Sequence, residues 1–286
     1  MTFEIMNRQS VGAFIKREPA SAIDGLRLHW PEYLMEAAEV ALYLFLTCVF
    51  ASLLLDPASP VRSFVRTTET ARAFMGLAVG ATVVALVVSP WGQQSGGHFN
   101  PALTLAFYRL GKLRFRDALF YLVAQFSGAV GGVCIASYVL PHSVGRYAIR
   151  YAVTAPGIRG SAVAFLGELT ISFVLMLTIL VASNSGTLFR YTPYLVGLLY
   201  TTFIILEAPL SGMSMNPARS LAPALHASYW HGLWLYFAAP TLGMLVAAEV
   251  FLRARNGVHP FCAKLHHANN KRCIFRHGRV AQSHPV

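Results

Sequence analysis

Long apolar stretches separated by short polar segments form the main pattern along this chain. Six stretches are long enough to cross a bilayer as helices, which takes about 17–25 residues each. They lie at residues 33–55, 73–91, 116–140, 161–183, 193–210 and 231–252. The first lies well inside the chain and is too long for the apolar core of a signal peptide. The pattern predicts an all-α membrane protein with six transmembrane helices.

Two further apolar pieces, 98–110 and 214–227, are too short to cross the membrane. Each contains Asn-Pro-Ala, which favours a re-entrant half-helix over a full span. The predicted organisation is an N-terminal tail (1–30), a membrane domain (31–252, halves at about 31–140 and 161–252) and a basic, poorly ordered C-terminal tail (253–286).

Composition narrows the function classes. Apolar residues make up 55% of the chain and charged residues 12%, against about 25% charged in soluble domains. Such a chain cannot cover a globule with polar side chains, which argues against a soluble enzyme. Because no nucleophile–base set or phosphate-binding loop stands outside the spans, we predict neither an enzyme nor a cofactor.

The net charge of +11 lies mostly on one side of the predicted membrane domain. Both tails and the segment 109–116 hold most of the Lys and Arg residues, which favours cytoplasmic termini. These residues also suit attraction to anionic lipid, so we predict a bilayer partner and no nucleic acid. A plasma membrane, such as a bacterial inner membrane, is the expected location.

A sequence repeat divides the chain into two halves. Ser-Gly-Gly-His-Phe-Asn-Pro-Ala at 95–102 returns as Ser-Gly-Met-Ser-Met-Asn-Pro-Ala at 211–218. Each copy follows the second span of its half, and Glu39 and Glu168 lie in the first span of each half. Three spans per half is an odd number, so the second half must be inverted and the short helices must meet near the midplane.

Asparagine favours the N-cap and proline the first helical position, so Asn100 and Asn216 should each begin a half-helix. The carbonyls of 96–99 and 212–215 then lack helical partners, which a membrane tolerates along a polar path. Acceptor carbonyls leading to two amide donors suit a small neutral molecule. The positive ends of both helices disfavour cations and protons.

With these motifs the chain resembles the aquaporin, or major intrinsic protein, family over about residues 32–252. The resemblance rests on a small set of residues: His98, Asn100, Pro101, Ala102 and Thr104; Asn216, Pro217, Ala218, Arg219 and Ser220; Glu39, Glu168 and Gln125. It implies six tilted helices, two half-helices, one pore per subunit and a homotetramer.

The resemblance also implies a narrow selectivity filter at one side of the pore. Arg219 would supply donors there and repel cations, and its partners would be Ile204, Met213 and Gly80. Narrow water-selective members have a histidine and an aromatic residue where Ile204 and Gly80 stand. Their loss predicts a wider, more apolar constriction.

Other markers resemble water channels more than glycerol channels, namely Ser220, Ala224 and the pair Tyr236-Phe237. The sequence therefore predicts a passive channel for water that also passes small uncharged solutes and excludes protons and ions. One alternative makes glycerol, ammonia or a neutral metalloid acid the main substrate. A second is a proton-coupled transporter that uses Glu39 and Glu168.

Four polar residues are interpreted as supports of the re-entrant loops: Glu39, Glu168, His98 and Gln125. Glu207 shares a helix face with Ile204 and points to the outer vestibule or to a solvated helix end.

In the C-terminal tail, Cys262-x3-His266 and Cys273-x3-His277 offer two thiols and two imidazoles, a combination that can bind zinc. The spacing matches no zinc finger and the tail lacks apolar support. Reduced thiols without a metal are therefore the prediction.

Overall fold

Helices form the regular structure of the chain. The structure, a computed structural model, describes residues 22–277 and shows no strand within them. Its helices are α1 (Ala22–Leu55), α2 (Thr68–Val88), α3 (Pro90–Ser95), α4 (Pro101–Arg109), α5 (Phe115–Val139), α6 (Ser161–Ser183), α7 (Thr192–Leu206), α8 (Ala208–Ser211), α9 (Pro217–Ala227) and α10 (Leu233–Ala254). The predicted all-α class is confirmed.

Five of these helices, α1, α2, α5, α6 and α10, are long and apolar enough to cross a membrane. The remaining predicted span, 193–210, is divided: α7 has 15 residues and α8 follows after Glu207. At about 1.5 Å per residue, α7 alone spans about 22 Å, less than the hydrocarbon core of a bilayer. The break at Glu207 leads the chain into the second re-entrant loop.

Helix packing follows the repeat. α1 lies along α5, α6 lies along α10, and α2 of the first half lies against α7 of the second. Small residues permit the close contacts: a Cβ on Gly128 would fall 2.1 Å from the Ala37 carbonyl oxygen, and one on Gly243 would fall 2.4 Å from that of Leu169. The two halves therefore use the same helix pairing around one shared contact.

The predicted tails need correction where the structure describes them. Residues 22–30, assigned to the N-terminal tail, are the first turns of α1. Residues 1–21 and 278–286 lie outside the described residues, so the predictions for those parts of the tails are untested.

The C-terminal segment packs on the face at which α1 begins and α10 ends, here called the terminal face. Cys262, Ala263, Leu265 and Phe275 are buried there and belong to the main apolar core. The prediction of a poorly ordered tail without apolar support is therefore wrong for residues 258–277, which we call the terminal cover. The terminal cover packs through these few apolar side chains, which stand within a largely polar stretch of sequence.

Candidate functional site

Both half-helices begin as the sequence predicts. The Asn100 side-chain oxygen accepts the Ala102 N–H at 2.9 Å, and the Asn216 oxygen accepts the Ala218 N–H at 3.0 Å. A proline follows each cap at the first helical position, where its missing N–H costs nothing. Each helix therefore directs its N-terminal, partly positive end toward its asparagine.

The two asparagines tie the halves together. Asn100 Nδ2 donates to the Met215 carbonyl at 2.7 Å, and Asn216 Nδ2 donates to the Phe99 carbonyl at 2.8 Å. Each amide thus reaches the residue just before the other cap. The re-entrant elements meet in the interior of the protein, where both asparagines are buried.

The backbone before each cap is strained. Phe99, Met213 and Met215 have positive φ angles of 30°, 52° and 54°. Left-handed conformations of non-glycine residues cost about 1–2 kcal/mol each. Such strain persists where surrounding contacts fix the chain, and it concentrates at functional sites. The contacts that fix these loops are mainly buried carboxylates.

In the second half, Glu168 forms hydrogen bonds with the loop. Its carboxylate accepts the N–H of Ser214 at 2.6 Å, the N–H of Met215 at 2.7 Å and the Ser211 hydroxyl at 2.6 Å. Glu207 is buried, and its Oε2 lies 2.8 Å from the Ser211 hydroxyl oxygen, whose one hydrogen serves both carboxylates. Glu207 therefore lies against the loop rather than at a solvated helix end.

In the first half the main acceptor is Glu36, which the sequence analysis missed. Glu36 accepts the N–H of His98 at 2.9 Å and of Phe99 at 2.7 Å. Among the described residues, the Glu39 carboxylate, to which this role was assigned, accepts only the Ser95 hydroxyl, at 3.0 Å. Glu36 lies one helical turn before Glu39 and so shares its face of α1. That spacing was the signal in the sequence that could have pointed to Glu36.

Gln125 and His98 extend this network. Gln125 Nε2 donates to Glu36 at 2.7 Å and to the Thr104 hydroxyl at 2.9 Å. The His98 ring bonds through Nδ1 to the same hydroxyl at 3.1 Å, and through Nε2 to the Ala263 carbonyl at 2.9 Å. Both residues contact the first loop or its half-helix, and His98 also binds the terminal cover.

Two tyrosines to which the sequence analysis gave no such role, Tyr121 and Tyr236, contact the loops in equivalent ways. The Tyr121 hydroxyl donates to the Ser95 carbonyl, and the Tyr236 hydroxyl donates to the Ser211 carbonyl, both at 2.5 Å. Each serine lies five residues before its asparagine. The signal was the position of each tyrosine in the third span of its half.

The predicted filter residues are all buried. Arg219 lies one turn into α9 and donates through Nη1 to the Ala152 carbonyl at 2.7 Å. Met213 lies in the strained second loop, and Ile204 lies on the last turns of α7. The grouping of these three side chains around one constriction stays a prediction.

Gly80, the fourth predicted filter residue, lies where α2 crosses α7. A Cβ there would fall 2.2 Å from Thr201 Oγ1 and 2.6 Å from the Gly197 carbonyl oxygen. The helix crossing therefore requires a glycine at this position for packing alone. Its place in the constriction stays a prediction.

Comparison with known proteins agrees with this geometry. The family model described as Major intrinsic protein matches residues 27–251. "Aquaporin NIP2-3" of Zea mays is 34% identical over 65% of this chain and 60% of its own length. "Glycerol uptake facilitator protein-like 6" of Lactiplantibacillus plantarum is 36% identical over 61% of this chain and 81% of its own.

The chain spans less than two thirds of several of the plant relatives it matches, at 58–64% of their length. The X-ray structure of the aquaglyceroporin from Plasmodium falciparum shares the fold, with a TM-score of 0.64 at 20% identity over 78% of this chain and 95% of that one. The family match covers most of the chain, including both Asn-Pro-Ala elements. The chain therefore belongs to the major intrinsic protein family.

Proposed function

We propose that this protein is a passive membrane channel for water and small uncharged solutes, and that it excludes protons and ions. The crossed contact between Asn100 and Asn216 carries the proposal. Each amide group has two N–H donors, and one of them binds the opposite loop. We infer that the second binds a molecule that passes between the two caps.

Charge at this point favours neutral molecules. Two helix N-termini meet there, so a cation approaches positive partial charge from both halves. Arg219 adds a full positive charge one turn into α9. A neutral molecule that accepts and donates hydrogen bonds avoids this repulsion, whereas a proton or metal cation does not.

The proposed constriction explains passage of more than water. Ile204 and Met213 are apolar, and Gly80 has no side chain. An apolar wall suits a solute that carries carbon atoms as well as hydroxyl groups. A relative named as a glycerol uptake facilitator supports a second candidate, in which glycerol, ammonia or a neutral metalloid acid is the main substrate.

The carboxylates argue against a proton-coupled transporter. The transporter alternative uses Glu168 and Glu39. Glu168 accepts three hydrogen bonds from its loop, and Glu39 accepts the Ser95 hydroxyl beside Glu36, which accepts two backbone N–H groups. A carboxylate that shuttled protons would release these donors at each cycle and free a strained loop. The network suits a fixed scaffold.

We further propose a homotetramer in a plasma membrane with both termini in the cytoplasm. Large apolar side chains, including Leu166, Leu198 and Tyr138, are exposed on the spans and suit lipid or a second subunit. The side with most Lys and Arg residues would face the cytoplasm.

Vesicles that contain the purified protein test the function by osmotic shock. We expect faster shrinkage than in empty vesicles, re-swelling in glycerol or urea, and no effect of a proton gradient. Unchanged shrinkage would refute the water channel. Exclusion of glycerol, urea and ammonia would refute the solute pathway, and transport driven by the gradient would favour the transporter.

A further inference from the structure

The terminal cover contacts several of the elements that surround the predicted pore mouth on the terminal face. Arg272 pairs with Glu32 of α1, and its Nη2 donates to the Leu28 carbonyl at 2.8 Å. The Phe261 N–H binds Asn184 Oδ1, after α6, at 2.7 Å. The cover therefore bridges the two halves of the protein at this face.

The cover also contacts the first re-entrant loop. The Leu265 N–H donates to the Gly96 carbonyl at 3.0 Å, and His98 binds the Ala263 carbonyl. The Phe275 ring stacks on His98 with centroids 5.4 Å apart and lies 2.8 Å from where a Cβ of Gly96 would be. The Gly96 carbonyl is the first acceptor of the proposed path, and the cover occupies this acceptor.

Two thiols and an imidazole meet inside the cover. One ligand atom from each of Cys262, Cys273 and His277 lies within 4.8 Å of the others. The two sulfur atoms are 3.7 Å apart. Two thiolates bound at about 2.3 Å to one tetrahedral zinc ion lie about 3.8 Å apart, whereas a disulfide needs about 2.05 Å. The observed spacing matches the metal site.

Neighbouring groups resemble the surroundings of a thiolate metal site. The Lys264 N–H points to Cys262 Sγ at 3.5 Å, a contact that stabilises a coordinating sulfur. The cluster supplies three ligands, which leaves one position of a tetrahedral zinc site open.

We propose that Cys262, Cys273 and His277 bind one zinc ion, and that the bound ion holds the terminal cover over the pore mouth. Binding depends on the cover alone, whereas the closing role rests on the proposed channel function. Of the four Cys and His residues that the sequence offered as ligands, His266 lies outside the cluster, and Cys262, Cys273 and His277 form it. Loss of the ion would free the segment that carries Ala263 and Leu265 and expose the Gly96 carbonyl.

Zinc titration of the purified full-length protein, after reduction and chelation, tests binding. We expect one ion per chain and a Kd raised more than about 100-fold in Cys273→Ala, since one of three protein ligands is lost. The exposed Cys134 gives a matched control, so Cys134→Ala should keep the wild-type Kd.

Cobalt in place of zinc gives a readout that needs no variant. We expect the thiolate charge-transfer absorption of a tetrahedral site in the wild-type protein. Absence of this absorption together with no zinc uptake would overturn the proposal. So would an unchanged Kd in Cys273→Ala, or a Cys262–Cys273 disulfide that persists in reducing buffer.

Osmotic shrinkage of vesicles tests closing. In the wild type, chelation on the terminal side should raise water permeability at least about threefold, and zinc should reverse the change. Arg272→Gln, which loses the ion pair with Glu32 but keeps all ligands, should be permeable with or without zinc. Zinc uptake without a change in flow would overturn the closing role. No flow from either protein would refute the channel function, and the cobalt spectrum would still judge the metal site.

Discussion

The two re-entrant loops have the same supports but different neighbours. In both, an asparagine caps the half-helix, a tyrosine hydroxyl binds the serine carbonyl five residues earlier, and a carboxylate accepts the last two N–H groups before the cap. These repeated contacts fix the same strained backbone twice.

The loops differ in how carboxylates contact them. In the second half Glu168 accepts from both the backbone and the Ser211 hydroxyl, beside Glu207, whereas in the first half Glu36 accepts from the backbone and Glu39 from the serine hydroxyl. Three residues after each asparagine stand Arg219 and Leu103. The terminal cover contacts the first loop.

This contrast favours different roles for the two halves. In the proposed channel, the shared contacts would build the path, and the differences would add selection on the side of Arg219 and access control on the side of the cover. Substitutions at matched positions separate these contributions.

The largest expected effect tests the carboxylates. Glu168→Ala and Glu36→Ala each leave two buried N–H groups without an acceptor, at about 1–3 kcal/mol per group, so each variant should lose about 2–6 kcal/mol of stability. Glu39→Ala loses one hydroxyl bond and should lose about 1 kcal/mol. Thermal unfolding in detergent measures all three. If Glu39→Ala lost as much stability as Glu36→Ala, Glu36 would not be the main acceptor of the loop N–H groups.

An intermediate effect separates the matched positions of the half-helices. Arg219→Ala should raise the flux of larger or charged solutes at least about tenfold, or about 1.4 kcal/mol, because the positive charge is lost. Leu103→Ala, the same position in the first half, should leave selectivity unchanged. Vesicle swelling and a pH-sensitive dye measure both. Equal solute profiles for the two variants would place the filter elsewhere.

The smallest effect tests the symmetry of the supports. Tyr121→Phe and Tyr236→Phe each remove one hydroxyl donor from a buried serine carbonyl, so both should lose about 1 kcal/mol. The same unfolding measurement compares them. Clearly unequal losses would show that one loop has a substitute donor and that the two supports are not equivalent.

Much of the fold follows from the sequence because its signals are local. Long apolar runs locate the spans, and Asn-Pro-Ala locates the helix starts through capping and the proline position. The odd number of spans per half gives the inversion. The end of α7 was missed because residues 193–210 form one apolar run. Glu207 is the C-cap of α7, and Pro209, which has no N–H to continue the helix, follows two residues later.

The missed parts of the site depend on contacts between distant residues. Glu36 and Glu39 differ by one helical turn, and only the position of the loop decides which accepts the N–H groups. The sequence of the terminal cover is mostly polar. The cover is held on the protein by separate contacts with four parts of the chain, among them Glu32, Gly96 and Asn184. Hydrophobic patterning cannot detect such packing.

The exchange of amide hydrogen bonds between the halves bears on how the protein is made. Asn100 finds its acceptor on Met215, which the ribosome adds more than a hundred residues later. Until then the first strained loop lacks the hydrogen bond that joins it to the second half, so the first half must stay incomplete in the bilayer. Both hydrogen bonds between the halves can form only after the C-terminal half has been synthesised.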